Sequence, residues 1–257
     1  VDRDGLWHIN CVPIIPSDLI HKVDIVWNTA HPSFSLILNN FSIPNIESGI
    51  FYSGFDSKAI LKEHMQKIGI SMPRMLLIPV YQKDFDGILD RYIIKKAKEV
   101  HEKFGAPWIV KSFTSDSTMG IHLAKTFDEL VAAIEDGVNH GQSIVVEEFV
   151  AGKIASVHSV PFFRENDIYT FPLGNTYGDF SDSEKEKLFD SAKNLYQQLG
   201  AKHYLKSDFV LNPKGTLYLL NLDSTPNLKP DSHFSQVCIA VGAKPQNIVE
   251  HMIEKLY

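Results

Sequence analysis

Apolar residues along the chain alternate between the spacing of helices and the spacing of strands. The clearest helix follows a capping box of Thr126 and Glu129, behind which apolar residues recur three and four positions apart. The clearest hairpin consists of two apolar strands, 207–211 and 217–221, separated by an Asn-Pro-Lys-Gly turn. Because helices and strands are intermixed, the pattern favours a mixed α/β or α+β fold.

The remaining elements follow from the same patterns. A second capping box, Ser183 with Glu186, is expected to begin a helix that ends at Gly200. We predict other helices over 33–38, 57–68 and 92–104 and from about 246. We predict other strands over 23–27, 75–80, 108–112, 121–124, 143–147, 154–161 and 168–172. Lobe boundaries are expected near residues 83 and 145.

The composition is that of an ordinary soluble globular protein. Of the 257 residues, 44% are hydrophobic and 22% charged, and no apolar run reaches the roughly 18–20 residues of a membrane helix. The net charge of −6 disfavours a binder of duplex nucleic acid, which usually carries a basic excess. Cys11 and Cys238 lie at opposite ends of the chain without metal-ligand spacing, which indicates free thiols in a reducing, cytoplasmic setting.

Two features of the middle of the chain are typical of nucleotide binding. Lys111 ends an apolar strand just before a hydroxyl-rich loop that contains Ser117, and such groups can contact phosphates. Glu147 ends another apolar strand, where a carboxylate can accept a hydrogen bond from the exocyclic amine of adenine. Each has a structural alternative, because a strand-end lysine above a surface hairpin and a surface pair of Glu147 and Glu148 would look the same.

The hairpin near residue 212 carries a third feature, a set of oxygen ligands. Asp208 is expected to lie across the ladder from Asn221 and Asp223, which are two residues apart and therefore share a face. Oxygen ligands on one face suit Mg²⁺, which keeps several waters and bridges phosphates. The alternative is the solvent-exposed face of an ordinary hairpin. However, leucines make the second strand apolar on both sides, so these polar residues require a reason.

The order of the three features resembles the ATP-grasp superfamily and, within it, the D-alanine–D-alanine ligase family. The most specific segment runs from Lys206-Ser207-Asp208-Phe209 through Asn221-Leu222-Asp223-Ser224-Thr225-Pro226 to Ser232, and weaker similarity spans nearly the whole chain. The resemblance implies an α+β ATP-grasp fold. Two α+β lobes, a central one at 84–145 and a C-terminal one at 146–257, would sandwich the nucleotide. Residues 1–83 would form a truncated α/β N-terminal lobe.

The resemblance also implies a role for each matching residue. Lys58 and Lys111 would bind phosphates, and Ser117 would belong to a loop that closes over substrate. Glu147 and the backbone of Val150 would contact adenine, with Glu148 as the nearest other candidate for the ribose. Mg²⁺ would be held by Asp208, Asn221 and Asp223. Lys206 would stabilise the transition state, while Asn227 and Ser232 would contact the substrates.

Several positions depart from the family pattern. Ile154 stands at the ribose-binding glutamate, and Lys206 stands at an arginine, which removes a two-pronged donor. The family's first strand–helix–strand, with its substrate-binding glutamate, has no match, and the long loop after the central strands, which carries a phosphate lysine and a tyrosine in the family, is reduced to 174–179. Asn221 stands where the family has a charged ligand, and Asp223 stands where the family has a neutral one. The net charge of the predicted metal site is therefore the same as in the family.

These resemblances predict an ATP- and Mg²⁺-dependent carboxylate–amine ligase that acts through an acyl phosphate on an amino acid or peptide, with D-alanine as the default substrate. A homodimer is compatible with this prediction, and no nucleic-acid or membrane partner is expected. The alternative is a degenerate ATP-grasp module that binds nucleotide without ligase turnover. A third hypothesis, an unrelated α/β binding domain, also stays open.

Overall fold

The protein is described from a computed structural model, which covers residues 6–28, 33–46, 58–82, 87–113 and 119–255. The chain forms two compact units. The central unit contains residues 71–151, and the discontinuous unit contains residues 1–70 together with 152–257. None of the helices in the described ranges is both long and apolar enough to cross a bilayer.

The first part of the discontinuous unit is built from short elements. Its strands are β1 (Trp7–Ile9), β2 (Val12–Ile14), β3 (Val26–Trp27) and β4 (Asn45–Ile46), and its helices are α1 (Ser33–Asn40) and α2 (Lys58–Lys67). β1 and β2 form an antiparallel hairpin, whereas β3 and β4 pair in parallel. Leu19, Leu38 and Ile43 form a small buried cluster among these elements.

The central unit is an antiparallel sheet with two helices on one face. Its elements are β5 (Met75–Ile78), α3 (Leu89–Lys103), β6 (Trp108–Ser112), β7 (His122–Ala124), α4 (Phe127–Asn139) and β8 (Ile144–Glu148), and the strand order is β5-β8-β6-β7. Trp108, Val110 and Val146 join the two helices in one buried core. Because successive strand residues point to opposite faces, Lys111 and Glu147 belong to the other, more open face.

The second part of the discontinuous unit contains a larger sheet. Its elements are β9 (Lys153–Pro161), β10 (Ile168–Thr170), α5 (Asp182–Gln198), β11 (Leu205–Leu211), β12 (Leu217–Asp223), α6 (His233–Ala240) and α7 (Pro245–Glu254). The strand order is β10-β9-β11-β12, with every neighbouring pair antiparallel. Val160 of β9 and Tyr204, the residue before β11, pack against Phe234, Val237 and other residues of α6 and α7.

A bulge in β12 decides which residues share a face. Asp208 lies opposite Asn221, whereas the next residue, Phe209, lies opposite Leu219, so Leu220 is left without a partner. An extra residue of this kind reverses the alternation of the strand beyond it. Asn221 and Asp223 therefore share a face with Asp208, while Leu219 stays on the apolar face with Phe209.

Most of the predicted elements are present, but two predicted helix starts are wrong, and α3 begins at Leu89 rather than at about residue 92. The capping box of Thr126 and Glu129 and the hairpin between β11 and β12 are confirmed. Helix α5, however, begins two residues earlier than predicted, with Ser181 and Glu184 as its capping box. Both serines have a glutamate three residues later. The earlier one caps the helix because the longer helix gains backbone hydrogen bonds, such as that from Lys185 N–H to the Ser181 carbonyl.

Candidate active site

An ion pair joins the two nucleotide-binding candidates of the central unit. The Lys111 Nζ lies 2.7 Å from a carboxylate oxygen of Glu147, and the two side chains are 24% and 14% exposed. The pair lies on the open face of the sheet, where Ile109 on β6 is directly opposite Glu147 on β8. Other residues of this face are apolar: Met75, Leu77, Leu123 and Val145. A charged pair within an apolar sheet face can hold a flat, partly polar group such as a nucleotide base.

Glu148 pairs with Arg74, which was not among the predicted site residues. The guanidinium of Arg74 donates to both carboxylate oxygens of Glu148, at 2.9 and 2.8 Å, and also lies 5.6 Å from the ring centre of Phe104. Two-pronged pairing of this kind is geometrically specific. Glu148 therefore ties the start of β5 to the end of β8, and a contact from it to ribose would require that pairing to change.

The discontinuous unit carries a row of polar residues on one face of its sheet. In the register, Lys206 lies opposite both His158 of β9 and Asp223 of β12, and Asp208 lies opposite both Ser156 and Asn221. Directly opposed residues of an antiparallel pair share a face. We call this set the polar face: Ser156, His158, Lys206, Asp208, Asn221 and Asp223.

Asp208 is the centre of this face. The Ser156 hydroxyl donates to its Oδ1 at 2.5 Å, and the Lys206 Nζ lies 3.1 Å from each carboxylate oxygen. Asn221 and Asp223 are exposed, and the Asp223 carboxylate accepts a hydrogen bond from the Thr225 N–H at 3.0 Å. The three predicted metal ligands thus lie together, beside the lysine that the resemblance assigns to the transition state.

Two histidines and a tyrosine form a buried network that includes His158 of the polar face. His158 bonds through Nδ1 to the Tyr204 hydroxyl at 2.6 Å and through Nε2 to His233 Nδ1 at 2.7 Å. Burial, with smaller effects from His233 and Lys206, lowers the pKa of His158 to about 3. Burial also lowers the pKa of His233 and raises that of Tyr204. The network is therefore uncharged near neutral pH and adds no positive charge to the polar face.

Ser156 and His158 have a signal in the sequence, although neither was among the predicted site residues. They alternate with Ala155 and Val157 along β9, and polar residues at every second position indicate a strand with one polar face. His233 had no comparable signal, because α6 was not predicted.

The two predicted substrate contacts take part in the start of α6. The Ser232 hydroxyl donates to the Asn227 carbonyl at 2.6 Å and accepts from the Ser235 N–H at 3.1 Å, which makes Ser232 the N-cap of the helix. The Asn227 side chain accepts from the Lys229 N–H at 3.1 Å. Both residues hold the turn that follows the polar face.

The remaining predicted residues are described only in part. Ser117 lies outside the described residues, and the same is true of the side chain of Lys58, although its backbone begins α2. Val150 follows β8 and is half-buried. Ile154, which the resemblance aligns with the family's ribose-binding glutamate, is 41% exposed on β9.

The polar face offers oxygen ligands of the kind that Mg²⁺ prefers. Among the described residues, no three histidine, cysteine, aspartate or glutamate side chains lie close enough together to hold a metal ion. The polar face offers two carboxylates and an amide instead. Mg²⁺ prefers oxygen ligands, keeps several waters and is usually held by one or two carboxylates together with substrate phosphates.

The fold is found in solved structures of low sequence identity. It matches D-alanyl-alanine synthetase A from Vibrio cholerae with a TM-score of 0.73 at 18% identity, covering 91% of this chain and 77% of that one. It matches D-alanine–D-alanine ligase from Bacillus anthracis, solved in complex with ATP, with a TM-score of 0.71 at 19% identity, covering 100% of this chain and 87% of that one. These neighbours define the fold as ATP-grasp.

Sequence comparison then identifies the family. The family described as D-ala D-ala ligase C-terminus matches residues 65–161 and 175–254, which is more than half of the chain. The chain belongs to this family.

Individual relatives are distant. D-alanine–D-alanine ligase of Desulfotalea psychrophila is 26% identical over 62% of this chain, and the match spans 56% of that relative's length. The ligase of Borreliella afzelii is 23% identical over 99% of this chain and 78% of its own length.

Proposed function

We propose that the protein is an ATP- and Mg²⁺-dependent carboxylate–amine ligase, with a D-amino acid such as D-alanine as the first substrate to test. The observation that carries the proposal is the register of β9, β11 and β12. It assembles two carboxylates, an amide and a lysine on one face. Family membership supports the same conclusion, because the relatives above are named D-alanine–D-alanine ligases.

In the proposed reaction, a carboxylate oxygen of one substrate attacks the γ-phosphorus of ATP and ADP leaves. The neutral amine of a second substrate then attacks the carbonyl carbon of the acyl phosphate, inorganic phosphate leaves with the carboxylate oxygen, and the nitrogen gives up one proton as the amide forms. Mg²⁺, held by Asp208, Asn221 and Asp223, would neutralise phosphate charge. In such reactions the protein contributes mainly positioning and charge stabilisation.

The residues of this chain have distinct tasks in this scheme. Lys111 would contact phosphate and Glu147 the base, which requires their ion pair to open or to be shared with the nucleotide. Lys206 would stabilise the oxyanion that develops when the amine attacks. Its single ammonium lacks the fork of an arginine, so slow turnover is expected.

A second candidate is a nucleotide-binding module without turnover. Two observations favour it. Ile154 cannot accept hydrogen bonds from ribose hydroxyls, and the Ser232 hydroxyl is already engaged by the backbone of its own turn and helix. Under this hypothesis ATP and Mg²⁺ still bind, but amino acids do not stimulate phosphate release.

Phosphate release from ATP with Mg²⁺, measured across a panel of D- and L-amino acids, separates the two candidates. The ligase proposal expects release that depends on an amino acid and is lost in Asp208→Asn. If ATP and Mg²⁺ bind but no amino acid stimulates release above background, the ligase proposal fails and the binding module remains.

A further inference from the structure

Asp208 is held by two donors of different kinds. On one side, Ser156 donates a short hydrogen bond of 2.5 Å to Oδ1. On the other side, the Lys206 Nζ lies 3.1 Å from both carboxylate oxygens. One neighbour is therefore a neutral hydroxyl and the other a full positive charge.

The two donors differ in how far they can move. Ser156 lies directly opposite Asp208 on β9, and β11 is paired on both sides, so a side chain as short as serine stays where the ladder holds it. Lys206 reaches Asp208 along its own strand with a long, flexible side chain that is 26% exposed. Ser156 is thus a fixed partner of Asp208, whereas Lys206 can swing away.

A divalent cation would compete with only one of them. Mg²⁺ binds carboxylate oxygens at about 2.0–2.1 Å. An ammonium that contacts both oxygens of the same carboxylate would lie within a few ångströms of that ion, and like charges at this separation repel strongly. A serine hydroxyl carries no charge and uses one lone pair, so it can stay while a metal binds a remaining one.

We propose that Ser156 is a positioning residue that orients Asp208 for a divalent cation, and that Lys206 is an internal counter-ion which the cation displaces. The proposal deepens and rests on the proposed function, because it concerns the same metal site. It links two events: metal binding at Asp208 frees the Lys206 ammonium for the charge that develops on the substrate. Before metal binds, the same ammonium offsets the repulsion between Asp208 and Asp223 on neighbouring strands.

The two donors therefore predict opposite effects on metal affinity. Removing the orienting hydroxyl in Ser156→Ala should weaken binding by about tenfold or more, the usual cost of losing a partner that orients a metal ligand. Removing the competing charge in Lys206→Met should strengthen binding by about tenfold, as expected for a unit charge next to the ligand. If both residues served only the fold, neither substitution would strengthen binding.

The test is a titration with Mn²⁺ alone, which substitutes for Mg²⁺ and is read by the loss of the free-ion signal in electron paramagnetic resonance. Ser156→Thr keeps the hydroxyl and should restore affinity, and Lys206→Arg keeps the charge and should resemble the wild type. Lys214→Met removes the same charge from the exposed turn of the same hairpin and should leave affinity unchanged. Asp208→Asn gives the baseline without the carboxylate.

The outcomes are distinguishable. If Lys206→Met binds Mn²⁺ no more tightly than the wild type, Lys206 is not a counter-ion that the metal displaces. If Ser156→Ala binds Mn²⁺ as tightly as the wild type, Ser156 does not position Asp208 for the metal. If Ser156→Ala fails to fold, the comparison of Lys206→Met with Lys206→Arg and Lys214→Met still decides whether Lys206 is the counter-ion that the metal displaces. If the wild type binds no Mn²⁺, the metal site of the proposed function fails and this proposal fails with it.

Discussion

Each unit of the protein places an ion pair of lysine and acid on a sheet face, but the surroundings of the two pairs differ. The pair of Lys111 and Glu147 lies among apolar residues of the central sheet, such as Ile109 and Val145. The pair of Lys206 and Asp208 lies in a row of polar side chains. An apolar face around a single ion pair suits a nucleotide base and one contact to phosphate. A set of neighbouring polar side chains suits a hydrated cation instead. The same kind of ion pair thus supports different chemistry according to its neighbours.

The largest predicted effect is a loss of folding stability in acid, and it concerns the discontinuous unit. The pKa of His158 is lowered by burial from 6.5 to about 3, and that of His203 to about 4. The unfolded chain binds these protons below pH 6.5 while the folded chain does not, so stability falls as pH drops below 6.5. From pH 7 to 5 each histidine should cost about 2 kcal/mol. Both belong to the discontinuous unit.

Hydrogen exchange at pH 7 and pH 5 measures this loss unit by unit. Amides of β9 and β11 should lose protection at the lower pH, and His203→Asn should remove about half of the combined effect of the two histidines. Equal protection of these strands at both pH values would show that His158 and His203 take up protons without cost.

Loss of one charge should reduce activity more on the polar face than on the face of the central sheet. Asp208→Asn removes one carboxylate of the predicted metal site, and amino-acid-dependent phosphate release should fall by about 10²–10³, the typical cost of losing one charge-stabilising group. ATP binding without Mg²⁺ should be unchanged in the same variant. An equal loss of metal-free ATP binding would show that the substitution damages the fold or the nucleotide site rather than the metal site.

The central pair should be tested through nucleotide affinity. Lys111→Ala removes a charge-assisted contact worth about 1.5–3 kcal/mol, which is roughly tenfold or more in the dissociation constant for ATP. Lys125→Ala removes an exposed lysine of the same unit and provides the matched control. Calorimetry that gives the same affinity for wild type and Lys111→Ala would remove Lys111 from the nucleotide site.

The smallest effect is expected at the ribose. Ile154 cannot accept a hydrogen bond from a ribose hydroxyl, and Glu148 is engaged by Arg74. ATP and 2′-deoxy-ATP should therefore bind within a few fold of each other, a difference of less than about 1 kcal/mol. A strong preference for ATP would indicate another acceptor, and Glu148→Gln would test whether the pairing with Arg74 opens to supply it.

The sequence predicts the elements of both sheets better than it predicts the polar face. Capping boxes and alternation are local signals, and they locate α4 and the hairpin of β11 and β12. The bulge at Leu220, in contrast, is defined by how β11 and β12 pair, and no local sequence signal predicts it. Without it, simple alternation from the paired Leu211 and Leu217 would place Asn221 on the face opposite Asp208. The prediction that Asp208 lies near Asn221 and Asp223 therefore depended on a feature that the pattern does not reveal.

Long-range pairs were also beyond the sequence analysis. Arg74 and Glu148 are 74 residues apart, and His158 and His233 are 75 apart, so no periodic pattern links them. Their partners are fixed by sheet order and helix packing, which appear only once the chain is folded. The resemblance to a known family located Lys206, Asp208 and Asp223, but it gave no indication that Ser156 donates to Asp208.

The most direct test of the ligase proposal follows an oxygen atom. If the carboxylate attacks ATP, then D-alanine labelled with ¹⁸O in its carboxylate should transfer one labelled oxygen to each inorganic phosphate released. Mass spectrometry of that phosphate after reaction with ATP and Mg²⁺ reads the result directly. Phosphate carrying one ¹⁸O per molecule, formed together with a dipeptide, is the result we predict. Phosphate released without ¹⁸O would mean that water attacks ATP, which would contradict the proposal that this chain is a ligase.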